Sequence, residues 1–147
     1  MGTPEQDALA ALPHQPPMRL VDELVTIDPG RSACARRVAR DGDWYFQGHF
    51  PGQPVVPAIV LVELLAQAGG LAACAGEGGR PAGGLRVAAF GGFKFPAAAG
   101  PGAVLEARAR VAGRMGTMVK IEGEVTADGR LVASGSLTLA AAPPPCD

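Results

Sequence analysis

The stretch GHFPGQPVVPAIVLVELLAQAGG, residues 48–70, holds the two side chains best suited to moving protons: His49 in a glycine- and proline-rich turn and, fourteen residues on, Glu63 inside an otherwise apolar run. A neutral imidazole is a good base near pH 7. Gly48, Pro51, Gly52, Pro54 and Pro57 surround His49 with a rigid, tightly turned approach that fixes where its ring points. The plainer reading is a turn histidine bonded to a nearby carbonyl. Glu63 is the harder residue to place, because a buried carboxylate must pair or take up a proton. AIVLVELLAQ offers it no cationic partner at helical spacing. It either looks out through an exposed stripe or serves as an acid for a leaving group.

A third element is the helix start implied after Pro57. The first N–H groups of a helix have no intrahelical partner and carry the positive end of its dipole, so they suit an oxygen that gains negative charge. Glu63 would lie six residues on, roughly 9 Å along the axis at about 1.5 Å per residue. A base, an acid and an oxyanion donor suit one reaction: removal of a proton α to a carbonyl with expulsion of a β-hydroxyl as water.

The elements that must position these groups follow from pattern. The first dozen residues form a short helical turn ending before Pro13; LVDELVTID and RSACARRVA read as strands joined by the turn Asp28-Pro29-Gly30. Pro57 fits the first helical position, and the helix runs to about Ala75, dissolving in the flexible loop GEGGRPAGG. A run of about four strands follows. Leu105, Ala107, Ala109 and Val111 share one face, as do Val119, Ile121, Gly123 and Val125, and Asp128-Gly129 marks a hairpin. A helix apolar on every side must be wrapped, which a curved antiparallel sheet would do. The expectation is a single α+β domain over 1–147, with a central helix at about 57–75 and a loose tail at 142–147.

Composition narrows the function classes. A net charge of −1 gives no argument for nucleic acid or an anionic membrane. Cys34, Cys74 and Cys146, with only His14 and His49 as histidines, argue against a disulfide framework and against a zinc site. From Pro54 to Gly76 only Glu63 is charged, enough to raise a membrane span. Its prolines, Glu63, Gln67 and the lack of a basic flank favour a buried helix. MGTPEQDALAALPH has no secretory pattern, so the expected compartment is the cytoplasm.

GHFPGQPVVPAIVLVELLAQ strongly resembles the signature of FabZ-type 3-hydroxyacyl-acyl-carrier-protein dehydratases, G-H-F-P-G-x-P, then P-G, then E-A-x-A-Q. LPHQPPMRLVDELV (12–25) and FKFPAAAGPGAVLEARARV (93–111) resemble its flanking segments. The resemblance implies a hotdog fold, a curved antiparallel sheet wrapped around one helix. It implies a homodimer or trimer of dimers, with the active site at the dimer interface: the histidine from one subunit, the glutamate from the other. His49 would be the base and Glu63 the acid. The Ala58 N–H would polarise the thioester carbonyl, Gln67 would orient Glu63, and Phe50 and Gly52 would border the substrate. That substrate would be a 3-hydroxyacyl chain on the phosphopantetheine arm of acyl carrier protein, with no metal or other cofactor.

The chain departs from the family pattern at Ala58, where glycine is usual, at Leu64 and Glu23, and in DGDWYFQ at 41–47. These departures bear on chain length and pathway, fatty acid or specialised polyketide and polyene. A hotdog thioesterase and a non-catalytic acyl-carrier-binding partner are the alternatives; Glu63 rather than aspartate leans towards dehydration without isomerisation. Arg36, Arg37, Arg40, Arg86 and Lys94 either help dock an acidic carrier or are simply solvated. His14 and Cys74 are read as structural, and Phe90, Phe93 and Phe95 as tunnel lining or, preferably, core.

Overall fold

A 17-residue helix without charged residues apart from Glu63 is the centre of this chain, and everything else is arranged to cover it. The computed structural model describes residues 2–74 and 85–141. The expected glycine loop, the end of the helix at Ala75 and the tail at 142–147 lie outside the described residues. α1 spans Pro4–Ala10, β1 Glu23–Asp28, β2 Ser32–Val38, a short 3-10 turn Trp44–Phe46, α2 Ala58–Cys74, β3 Leu85–Lys94, β4 Val104–Met115, β5 Met118–Ala127 and β6 Arg130–Ala141. The helix starts one residue later than expected. Pro57 stands just ahead of it, its carbonyl accepting from the N–H groups of Val60 and Leu61.

All six strands join one antiparallel sheet in the order β1-β2-β4-β5-β6-β3. The sheet curves around α2, which packs on β2, β4, β5 and β6. This is the hotdog arrangement that the resemblance implied. Thirteen of the seventeen α2 residues are buried, so the helix turns almost no face to water. That satisfies a sequence too apolar to lie on a surface. No helix among the described residues is long and apolar enough to cross a membrane.

Alternation along the strands appears as read. Leu105, Ala107 and Ala109 of β4 and Val119, Ile121 and Val125 of β5 are buried, while Arg108, Arg110, Lys120 and Glu124 are exposed. Asp128 and Gly129 both have positive φ, the backbone of a two-residue hairpin. Asp128 also ties the start of β4: its N–H donates to the Val104 carbonyl (3.0 Å) and its Oδ1 accepts from the Val104 N–H (3.1 Å).

Helix and sheet approach closely at Gly123. A Cβ there would collide with the Arg108 carbonyl and come within 2.9 Å of Leu65 Cδ1. The absent side chain is what lets Leu65, fully buried, sit directly on β5.

β3 corrects one expectation. Among the described residues it is an edge strand, paired only with β6. Phe90 (63% exposed) and Phe95 (43%) stand in solvent instead of packing the core. Only Phe93 packs inward, its ring so close to Gly135 that a Cβ there would meet it at 2.6 Å. The outward side chains of this edge strand have no cover among the described residues, whatever their hydrophobicity.

Gly123→Ala should lower unfolding stability by about 3 kcal/mol through overpacking. Gly113→Ala, whose Cβ would enter open space, should stay within about 0.5 kcal/mol. Urea titration of the two variants reads the difference.

Candidate functional site

The turn that carries His49 is closed by its own backbone. The N–H of His49 donates to the Phe46 carbonyl (3.1 Å), Val55 N–H to the His49 carbonyl (2.8 Å), and Phe50 and Gln53 exchange a pair of bonds (3.0 and 2.9 Å). Gly48 (φ 77°) and Gly52 (φ 76°) take the left-handed conformations that make the turn so tight. The half-buried ring of His49 then meets two neighbours. Phe50 stacks on it, with centroids 4.1 Å apart and an interplanar angle of 26°. Nδ1 lies 2.9 Å from the Val55 carbonyl. A carbonyl only accepts, so this bond assigns the ring proton to Nδ1 and leaves Nε2 as the bare, basic nitrogen. The carbonyl-bonded reading of His49 is the observed one, and it is compatible with a ring that could act as a base.

The approach to the turn is braced by an ionic cluster that sequence reading missed. Arg37 is only 8% exposed. It reaches Asp43 Oδ2 (2.8 Å) and Asp22 Oδ1 (3.3 Å), with Tyr45 OH at 3.5 Å. The Tyr45 hydroxyl donates to Asp43 Oδ2 at 2.6 Å, and Trp44 Nε1 donates to the Pro17 carbonyl at 3.0 Å. Burial alone would raise the Asp43 carboxyl, but hydrogen bonds from Tyr45, the Arg40 N–H and Arg37 outweigh it and hold the group below its ordinary value. Burial and the bond to Asp43 push the Tyr45 hydroxyl up to about 12. Arg40 pairs with Asp22 (3.2 Å), and Arg36 with Glu106 (3.0 Å) and Glu23 (3.3 Å). Of these three arginines, read as carrier-docking or solvated, Arg37 is buried in its ion pairs, while Arg36 and Arg40 pair with carboxylates from distant sequence and stay partly exposed. Arg86 and Lys94 are exposed on β3.

Glu63 is the one residue between Val60 and Ala73 that is not buried, with 29% of its side chain exposed. Gln67, one turn on and 1% exposed, donates from Nε2 to Glu63 Oε1 (3.1 Å) and to the Met18 carbonyl (2.8 Å), and its Oε1 accepts from the Leu20 N–H (2.9 Å). Its amide is bonded at both ends, which fixes its orientation and through it the Glu63 carboxyl. His14 also reaches this site, its Nε2 standing 3.6 Å from Glu63 Oε1. The search at helical spacing could not find it, because the contact spans 49 positions and depends on how residues 12–20 fold over the helix.

At the exposed helix start, the Ala58 N–H has no hydrogen-bond acceptor among the described residues, and Ile59 beside it is 73% exposed. Leu64 is fully buried in the core. Phe50, 54% exposed, and exposed Gly52 border the His49 turn. Cys74 is half-buried and packs against the core. No hydrogen bond or ion pair joins His49 to Glu63 within the chain, among the described residues. The two groups belong to separately braced clusters.

The family model for the FabA-like domain matches residues 12–136. The 3-hydroxyacyl-[acyl-carrier-protein] dehydratase FabZ of Roseiflexus sp. (strain RS-1) is 33% identical over 138 residues, 92% of this chain and 94% of that protein. The FabZ of Moorella thermoacetica is 36% identical over 132 residues, 88% and 90% of the two chains. Among solved structures, an HP0420 homologue from Helicobacter felis superposes with a TM-score of 0.71 at 13% identity, covering 99% of this chain and 94% of that one. The dehydratase heterocomplex ApeI:P from Xenorhabdus doucetiae gives 0.68 at 18% identity, covering 92% and 91%. At such identities the structures speak for the fold alone.

Two outcomes test the bracing. Gln67→Leu strands the buried Leu20 N–H and should destabilise the protein by about 2 kcal/mol in thermal unfolding. The lowered Asp43 group stabilises the fold above the unfolded-state value of about 4, and this contribution fades as pH falls through the lower folded value. Asp43→Asn should therefore cost about 2–3 kcal/mol at neutral pH. Its gap in melting temperature from wild type should close below about pH 4.

Proposed function

This chain belongs to the FabA-like family, and on that premise we propose that it dehydrates a 3-hydroxyacyl thioester carried on acyl carrier protein to the trans-2-enoyl thioester, in fatty-acid biosynthesis. The observation that carries the mechanism is the Nδ1 bond of His49 to the Val55 carbonyl, which leaves Nε2 unprotonated towards a substrate. His49 Nε2 removes the α-proton. The C–H electron pair becomes the α,β double bond, and the β-hydroxyl departs as water with a proton from Glu63. The Ala58 N–H, at the positive end of α2, stabilises negative charge on the thioester oxygen as it develops. Gln67 keeps the Glu63 carboxyl in place, and Phe50 and Gly52 border the thioester arm. No metal or redox group enters these steps, and the phosphopantetheine arm arrives with the substrate.

Two copies of the chain complete one site in this reading, His49 of one facing Glu63 of the other. Support comes from the lack of any bond between these residues within a chain and from the uncovered β3 edge with Phe90 and Phe95 exposed. An antiparallel pairing of two β3 edges would cover both rows and form a symmetric dimer, open to assembly into a trimer of dimers. The expected setting is the cytoplasm. The relatives carry the dehydratase name, so neither the hydrolytic nor the non-catalytic alternative is favoured.

The test is conversion of a 3-hydroxyacyl thioester to enoyl product across acyl lengths. His49→Ala and Glu63→Gln should each reduce kcat/KM by about 10²–10⁴-fold; equal product from both variants and wild type rejects the roles. Mixing the two inactive variants under subunit exchange should restore about a quarter of wild-type activity, because half the dimers then contain one intact site. No recovery rejects the shared site.

A further inference from the structure

Two nitrogen donors converge on a single oxygen of Glu63. Gln67 Nε2 donates to Oε1 at 3.1 Å, and His14 Nε2 faces the same atom at 3.6 Å. We propose that His14 is a positioning residue for the dehydration: its Nε2–H faces Oε1, so that the proton Glu63 gives up sits on Oε2 towards the departing hydroxyl, and it stabilises the negative charge left on the carboxyl once that proton has gone. This role rests on the dehydratase reading of Glu63.

The segment that carries His14 is clamped from three sides. Arg19 donates from Nη2 to the Leu9 carbonyl at 2.7 Å, bridging the end of α1 to the far side of the loop. The Gln15 carbonyl accepts from the N–H groups of Met18 and Arg19, each at 2.9 Å. Gln67 holds Met18 and Leu20 against α2. Leu12 and Leu20, 2% and 1% exposed, anchor both ends in the core. A ring held on such a loop has little freedom to leave the carboxyl.

The second ring nitrogen supplies an independent argument. His14 Nδ1 is buried without a hydrogen-bond partner among the described residues. A buried N–H left unpaired is the costlier of the two possibilities, while a bare ring nitrogen loses less. In the neutral ring the proton therefore sits on Nε2, the nitrogen that faces Glu63. This tautomer is opposite to that of His49, whose Nδ1 carries the proton. The chain's two histidines are set for opposite tasks, His49 to accept a proton and His14 to donate a hydrogen bond.

A separation of 3.6 Å is longer than a hydrogen bond. Catalytic contacts are often loose in the free enzyme and tighten when substrate is bound. Both side chains are 29% exposed, and ion pairs so open to water contribute little to stability. The effect of His14 belongs in turnover.

The experiment measures steady-state dehydration by wild type, His14→Phe, His14→Gln and His14→Asn, and the His14 tautomer in wild type by long-range 15N–1H correlation at mildly alkaline pH. Loss of the donor in His14→Phe should lower kcat about tenfold and leave KM within about twofold. His14→Gln, whose amide nitrogen reaches the Nε2 position, should recover most of kcat; His14→Asn, which reaches only the Nδ1 position, should not. The spectrum should show the Nε2–H tautomer. Full kcat in His14→Phe, rescue by asparagine in place of glutamine, or an Nδ1–H tautomer overturns the role. Should the phenylalanine variant fail to fold, the glutamine–asparagine contrast decides alone. Wild type that forms no enoyl product overturns the dehydratase reading and this role with it, whereas activity with an Nδ1–H tautomer overturns only the role.

Discussion

The buried amide of Gln67 is the constraint on which the rest of the site depends. A glutamine almost without solvent exposure must have its polar atoms satisfied inside the protein. This one finds the Leu20 N–H, the Met18 carbonyl and the Glu63 carboxylate. Those three bonds join an apolar helix to a segment almost fifty positions away and aim the one acid on that helix. An apolar residue at 67 would pack as well but would leave the 18–20 backbone unpaired and Glu63 without its neighbour. The polar exception in the core and the polar exception on the helix are therefore one structure.

The same economy holds at the His49 turn. Its rigidity comes from backbone bonds and left-handed glycines. The orientation of its ring comes from one carbonyl. Its approach is braced by Arg37, Asp22, Asp43 and Tyr45, a cluster in which each charge has an opposite partner. Phe90 on β3 and Phe95 just after it are the other kind of exception: apolar groups with no cover among the described residues, beside a strand that pairs on one side only among those residues. Association through that edge would both cover these groups and bring a second chain's residues to the site.

Much of this was legible in the residues. The period of two in β4 and β5, the Asp128-Gly129 hairpin and the apolar run of α2 each rest on local rules, and each element appears where pattern placed it, with β4 running on to Met115 and β5 to Ala127. His49 and Glu63 stand out for the same reason, as polar side chains in local settings that call for explanation. What pattern could not supply was pairing across distance. Arg36, Arg37 and Arg40 look like a basic cluster until strand register sets Glu23, Asp22 and Glu106 beside them. Phe90 and Phe95 look like core until sheet order leaves β3 at the edge.

The amino-acid sequence by itself determined the helix, the strands, the turn and the chemical character of His49 and Glu63, because each follows from side-chain type and spacing within a few residues. Only tertiary structure decided that the His49 ring faces the Val55 carbonyl, that His14 lies beside Glu63, and that Gln67 links Glu63 to the backbone at 18–20. The last two are contacts between segments tens of residues apart. They exist only once the sheet has closed on the helix and the 12–20 segment has been laid across it.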